Sequence, residues 1–431
     1  MNNKSIAVLS PHGLISDFRL LVLMFITLRI TLAMVYQPNV IDRFDETGEL
    51  VPIERGLTAL GDFGYYFQFA RLSDEGLLPY RDYWYEFPPV WSTVFIGLYR
   101  LLAIRGPVDY SPWATALGLI LVAADVGVLV LLRRLACRLH GEGTGNAMAW
   151  AYALLAAPLI LTWWTFETLV ALAILAALVA LVEGRFDRSA GAVVTGALTK
   201  YVPLVVLPAV WRFFPWRRAL RYTLIVGTLV GLGLGLVFAW GGELGTASIT
   251  AQYRKASYET VWALIDGNWR TGIFPGPEAH FDPAVASEPL GNPAVIPGPV
   301  RLIPFAAIGL WIFTRRLRQD AYGVVAFVSV TIVLFFLWSQ GWSPQWVVTL
   351  IPLILLSFPM RNGVLICALL TVLAFFEYPV LFMRTGDTDG VISGALVVPY
   401  VAIILMRTGL LIGLAVALVQ RLRSAGDDAA A

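Results

Sequence analysis

An all-α polytopic membrane protein, with about ten full spans, a short re-entrant helix pair and outer interfacial helices, is the fold class this sequence predicts. Three observations carry that expectation. The 431 residues are 58% hydrophobic and 14% charged, with a mean hydropathy of +0.73, far from the average of soluble domains. Apolar runs long enough to span lipid recur along the chain. A net charge of +2 conceals a segregation: between residues 37 and 90 the acids Asp42, Asp45, Glu46, Glu49, Glu54, Asp62, Asp74, Glu75, Asp82 and Glu86 face only Arg43, Arg55, Arg71 and Arg81, while most other connectors are short and basic.

Taken in order, the first apolar run covers about 18–36; it lacks a small-residue cleavage site and is expected to anchor, not to be removed. Further runs follow at 88–104, 113–132, 147–164, 166–182, 190–211, 222–241, 299–314, 321–338, 345–358, 363–383 and 395–420. If each crossed once, the basic connectors would fall on both sides. Arg133, Arg134 and Arg138, Arg185 and Arg188, Arg212, Arg217, Arg218 and Arg221, Arg315, Arg316 and Arg318, Arg361, Arg421 and Arg423 should instead share the cytoplasmic side. Two adjustments achieve this. Run 88–104, opened by Pro88 and Pro89, lies in the outer interface, and run 190–211, interrupted by Lys200 and Pro203, enters and returns as two short helices. The N-terminus is then inside, and residues 37–112 and 242–298 are outer segments of a single membrane domain, 1–431. Within the second, SITAQYRKASYETVWALI (248–265) reads as an interfacial helix with Tyr253, Trp262 and Leu264 on its apolar side. Residues 266–298 read as a Pro- and Gly-rich loop, and Ser424 to Ala431 as a short disordered tail. Cys137 and Cys367 have no metal or disulfide spacing, and His12, His140 and His280 stand singly.

Function points to residues 61–91, GDFGYYFQFARLSDEGLLPYRDYWYEFPPVW. Carboxylates, arginines and a dense set of aromatics suit neither lipid nor simple solvation. Aromatic faces bind sugars and apolar chains, a carboxylate can accept a proton from a hydroxyl, and Arg81 can meet a phosphate. Charges within apolar runs are costly and default to function or to pairing. Arg29, Asp125, Glu167, Lys200, Glu377 and Arg407 are three of each sign, so three buried ion pairs form one reading. Lys200 invites another, because TKYVP breaks the helix around it and irregular backbone at depth lines protein or a watery cavity; an ammonium there suits an anion.

The chain also resembles a family. GDFGYY followed by ARL…EGLLPYRD…YEFPP is similar to the first outer loop of GT-C glycosyltransferases, especially glycosyltransferase family 87, the polyprenyl-phosphate-mannose-dependent mannosyltransferases. TFETLVALAILAAL…GRFDRSAGAVVTGALTKYVPLVVLP, RKASYETVWALIDGN and WSPQWVVTLIPL resemble further stretches of that family, in matching order from about 60 to 410. Tyr-Glu-Phe before the proline pair departs from it, and 37–60 has no counterpart. The resemblance implies a GT-C fold, a lipid-phosphate sugar as donor, and inversion without a nucleotide sugar, cofactor or obligatory metal. Asp62 matches the family's catalytic carboxylate.

The expected activity is therefore a membrane hexosyltransferase, with mannose as the family's commonest sugar, acting on a lipid or glycan acceptor outside a bacterial plasma membrane. Asp62 would be general base. Lys200, Arg81 and Arg407 would hold the donor phosphate. Tyr66, Tyr80, Glu86, Glu167, Arg254, Glu259, Trp262, Trp342 and Gln345 would meet sugar or acceptor. Partners are membrane lipids, donor and acceptor, with no nucleic acid. Plainer readings stand beside each: Asp62 as a helix N-cap, Glu86 paired with Arg81, the aromatics as an interfacial belt, Trp342 to Gln345 as a turn. A lipid-linked sugar transporter or flippase is the rival function, since discontinuous helices also mark transport sites; a non-catalytic lipid-binding scaffold is a third.

Overall fold

The computed structural model describes residues 13, 16–36, 39–44, 50–55, 61–272, 276–288 and 291–423. The proposed tail 424–431 and His12 lie outside them. In order, the helices are α1 (Phe18–Tyr36), α2 (Gly61–Arg71), α3 (Pro89–Ala103), α4 (Tyr110–His140), α5 (Glu142–Leu154), α6 (Ala156–Leu161), α7 (Glu167–Val182), α8 (Phe186–Ala197), α9 (Leu207–Phe213), α10 (Trp216–Arg254), α11 (Val261–Asp266), α12 (Gly298–Thr314), α13 (Ala321–Trp338), α14 (Val347–Ser357), α15 (Arg361–Phe375), α16 (Phe382–Thr385) and α17 (Val397–Arg423). The expectation of an all-α chain is corrected in one place. Strands β1 (Asn39–Phe44) and β2 (Leu50–Arg55) pair antiparallel, with Asn39 opposite Arg55 and Phe44 opposite Leu50; valines and isoleucines interleaved with charged residues favour a strand over a helix there.

Among the described residues five helices are long and apolar enough to cross a membrane: Tyr110–His140, Trp216–Tyr253, Ala321–Trp338, Arg361–Thr385 and Gly394–Arg423. Such helices are those of a multi-pass membrane protein. Other apolar helices, Pro89–Ala103, Glu167–Val182, Val202–Phe213, Gly298–Thr314 and Pro344–Ser357, have only 10–17 residues. The ten full spans suggested by the apolar runs are therefore not reached by length. Run 147–164, for example, divides between α5 and α6 where Leu155 turns extended ahead of Pro158.

Run 190–211 breaks as its sequence indicates. After α8 the backbone leaves helical form through Lys200, re-forms a tight turn over Val202–Val206 with Pro203 in its first turn, and continues as α9. The amphipathic helix expected at 248–265 is corrected: α10 runs on to Arg254, residues 255–260 are non-helical, and a separate short α11 follows, capped by the Thr260 hydroxyl, which accepts from the Ala263 amide. Tyr253 is exposed while Trp262 is half-buried, so they do not share one apolar face. Helix α10 is bent at Gly242 (φ 52°, ψ −117°), a conformation open to glycine. Its neighbour Gly241 lies so close to the loop 72–88 that a Cβ there would fall 2.0 Å from the Tyr80 carbonyl oxygen.

The basic connectors gather at one end of the bundle through contacts that link them in turn. His140 bonds the Leu356 carbonyl at 2.8 Å, Arg421 reaches Met360, the Arg318 amide bonds the Leu422 carbonyl at 3.0 Å, Arg212 bonds the Arg315 carbonyl at 2.8 Å, and Arg221 pairs with Asp187 at 3.0 Å. Arg134 pairs with Glu183. Segment 72–88 packs against residues 244–272 and 276–288 elsewhere: the Trp84 amide bonds the His280 carbonyl at 2.9 Å, and the Tyr85 amide bonds the Ser248 hydroxyl at 2.8 Å.

Candidate active site

Helix α2 carries Asp62 in its first turn, one residue inside the helix, which is not the preceding position that an N-cap occupies. Aromatic packing fixes this helix: Phe63 meets Trp113 edge-on at 6.1 Å, and Tyr66 lies against Trp91 at 5.2 Å and Phe95 at 5.4 Å. The Tyr66 ring is thus used up in the core and offers no stacking face; its hydroxyl donates to Asp62 at 3.4 Å. His280 ties the second outer segment to the same helix. Its Nδ1 donates to the Trp84 carbonyl at 2.7 Å and its Nε2 lies 3.1 Å from the Tyr65 hydroxyl; the ring also stacks on Trp84 at 3.7 Å.

Asp62 walls a cleft with Glu259, Trp342, Gln345, Trp164 and Tyr258. A second cleft, holding Glu86 and Lys255, shares Tyr258 and Gly272 with the first. The strip carrying Tyr258 and Glu259 is held against residues 340–342: the Tyr258 amide bonds the Gln340 carbonyl, and the Trp342 amide bonds the Tyr258 carbonyl, both at 3.2 Å. Gly341 permits this, because a Cβ there would lie 2.3 Å from the Tyr258 ring.

Two buried ion pairs flank Asp62. Lys200, in the break before α9, reaches Glu167 at 2.6 Å, and Glu167 also accepts from the Thr349 hydroxyl at 3.0 Å. Lys255, just past α10, pairs with Glu86. Burial raises the Asp62 carboxyl from its ordinary value to about 7; the negative Glu86 adds to the rise, whereas Lys200, the Tyr66 hydrogen bond and Lys255 oppose it. A carboxyl balanced there can exchange a proton at neutral pH.

Arg407, on α17, lies behind the cleft. It pairs with Glu377, bonds the Glu259 carbonyl and covers the Trp342 ring at 4.5 Å, while Glu377 accepts from the Trp342 indole at 3.0 Å. Arg29 and Asp125 form the third ion pair, joined by the Tyr152 hydroxyl. The six charges that stand inside apolar runs are thus joined as three ion pairs, with partners the sequence did not assign.

Other candidates are not brought to the cleft. Arg81 is exposed, pairs with Asp82 at 2.6 Å and bonds the Gly76 carbonyl at 2.9 Å. Its neighbour in sequence takes its charge, and Glu86 turns inward to Lys255 instead. The Tyr80 hydroxyl bonds the Phe87 carbonyl at 2.8 Å and Ser92 at 3.0 Å, leaving it a role in shaping the loop. Trp262 lines a separate apolar groove with Phe305 and Leu411, donates to the Leu337 carbonyl at 3.0 Å and meets Arg301 over its ring. The Arg254 side chain lies outside the described residues. Sequence reasoning passed over Lys255, beside Arg254 in RKASYETVW, although a lysine next to that motif was the available signal; Trp164, Tyr258 and His280 carried none.

No family model matches the chain, and no curated protein matches it. Among solved structures, the oligosaccharyltransferase of Archaeoglobus fulgidus, tethered to an acceptor peptide containing an NVT sequon, is similar at 10% identity and a TM-score of 0.38 over 93% of this chain. The chain spans about half the length of that protein, 54%. A score of that size does not establish a common fold, and the likeness to glycosyltransferase family 87 rests on the sequence motifs.

Proposed function

We propose that the protein is a membrane glycosyltransferase that moves a hexose, mannose first among the candidates, from a polyprenyl-phosphate sugar to a lipid or glycan hydroxyl on the outer side of the membrane. The observation that carries this reading is Asp62: a carboxyl held near neutrality by burial, on a rigid helix, facing a cleft lined by hydrogen-bonding and aromatic groups. An acceptor hydroxyl must lose its proton as it attacks. Asp62 takes that proton while the acceptor oxygen bonds to the anomeric carbon and the bond from that carbon to the phosphate oxygen breaks, with inversion. The departing polyprenyl phosphate leaves as an anion and needs no proton. Lys200 and Lys255, both close enough to influence Asp62, stabilise that charge. Arg81 and Arg407 drop out of this role: Arg81 is exposed beside Asp82, Arg407 lies behind the cleft on Glu377, and neither acts on Asp62 as the two lysines do.

A general base of this kind contributes on the order of 10² to 10⁴ in rate. Purified protein incubated with a panel of radiolabelled polyprenyl-phosphate hexoses and a membrane-lipid acceptor extract tests the proposal. Sugar transfer or donor hydrolysis is the expected result. Movement of the labelled lipid across vesicles with no chemistry would overturn it in favour of a flippase.

A further inference from the structure

Glu259 stands apart from the other buried carboxylates around the two clefts. Glu86 is met by Lys255 and Glu167 by Lys200 and Thr349, but neither oxygen of the Glu259 side chain finds a hydrogen-bond partner, although the residue is only 1% exposed. Leaving a buried polar group unpaired costs about 1–3 kcal/mol, and such groups are rare enough to require a reason. The backbone adds a second cost, because Glu259 has φ +51°, the left-handed region that disfavours side chains with a Cβ. The fold imposes it from both sides: the Glu259 amide donates to the Tyr400 hydroxyl at 3.2 Å and Arg407 holds its carbonyl. The outcome is a carboxyl presented bare to the cleft that Asp62 also lines. Burial keeps it protonated more readily than an ordinary glutamate, against the pull of Arg407 and the weaker influence of the nearby Gly272 amide, so it can donate as well as accept.

We propose that Glu259 recognises the sugar itself, binding two adjacent hydroxyls of the transferred hexose, so that its unpaired oxygens are satisfied only when a donor is in place. This rests on the donor reading above. Adjacent hydroxyls supply the paired donors and acceptors that one carboxyl can meet at once, whereas a phosphate would repel it once ionised.

The test uses the full chain in detergent and two probes: bare polyprenyl phosphate, and the tightest-bound member of a panel of polyprenyl-phosphate mannose, glucose and galactose. Wild type should prefer the sugar-bearing lipid. Glu259→Gly should reduce that preference about 10- to 100-fold, leave affinity for bare polyprenyl phosphate unchanged, and maintain or raise Tm, because it relieves both the backbone and the buried carboxyl. Glu259→Gln, which keeps shape and hydrogen bonding, should retain part of the preference. A preference that survives in Glu259→Gly, an equal weakening of both lipids, or a lowered Tm would overturn the assignment while leaving the donor reading intact. Wild type that binds neither lipid, or both alike, would remove the donor reading and this inference with it.

Discussion

The Lys200 ammonium lies 2.6 Å from the Glu167 carboxylate, with its charge also over the rings of Trp346 and Phe166. This lysine is therefore paired before any donor arrives, and its two roles can be separated. Lys200→Ala should destabilise the fold by roughly 3–5 kcal/mol, the cost of abandoning a buried partner. The double substitution Lys200→Met with Glu167→Gln should recover most of that loss in thermal unfolding. Donor binding should stay weak in both; recovery of binding in the double variant would show that Lys200 serves only Glu167.

Asp62→Asn keeps the shape of the side chain and its place in the first turn of α2. Transfer should fall roughly a hundredfold or more, with unfolding temperature and donor affinity near wild type. Retention of more than about a tenth of the turnover would move the base elsewhere, Glu86 being the next carboxylate in the same loop.

The Asp62 carboxyl, raised to about 7, sets a pH dependence whose sign is fixed. As a base it works ionised, so transfer should climb with pH up to a midpoint near 7 and level off above it. Stability runs the other way: the folded state holds a proton that the unfolded chain has released above about 4, so this group's contribution is lost as pH rises towards 7. Glu86→Gln removes a charge that raises Asp62 and leaves Lys255 unopposed, so the midpoint should move down. Lys255→Met should move it up. Rate profiles of the two variants against wild type measure both directions.

The sidedness of the site is open to labelling in a chain whose Cys137 and Cys367 are replaced. Glu75 is exposed at the turn after α2, whereas Ser73 beside it is buried, so the probe belongs at Glu75→Cys. It should react from outside on intact cells, and Arg316→Cys only after permeabilisation. The reverse pattern would put Asp62 on the cytoplasmic side and end the proposed reaction.

Gly241→Ala should lower Tm and activity together, since its methyl would collide with the Tyr80 carbonyl oxygen and push α10, with Lys255 at its end, away from the loop 72–88. Gly235→Ala, on the same helix with nothing within 4 Å of an added Cβ, is the matched control. It should leave both readings unchanged or slightly raised.

Much of this arrangement is legible in the sequence, and the divisions have physical causes. Charges inside apolar runs announce themselves because lipid makes them costly, which is why Arg29, Asp125, Glu167, Lys200, Glu377 and Arg407 stood out and proved to be paired. The break at Lys200 was readable from Pro203 and the polar residues before it. Partners across the fold were not. Whether Arg81 or Lys255 turns inward depends on Asp82, next to Arg81, and on Glu86, which Lys255 meets from 169 residues away in sequence. The helix expected at 248–265 failed for the same reason: residues 255–260 gain more by pairing with the 340–342 strip than local periodicity can reveal. Glu259 is a sugar or acceptor candidate from its motif alone, but its isolation is a property of its surroundings and is not written there.

The ion pair between Arg29 and Asp125 has a consequence for how the protein is made. Its members are 96 residues apart, and at ordinary synthesis speeds Arg29 emerges roughly 5 to 20 s before Asp125. A guanidinium cannot wait that long in hydrocarbon without cost. Helix α1 is therefore expected to stay in the insertion machinery, or in a watery niche beside it, until α4 arrives, so its release into lipid waits on the synthesis of its partner.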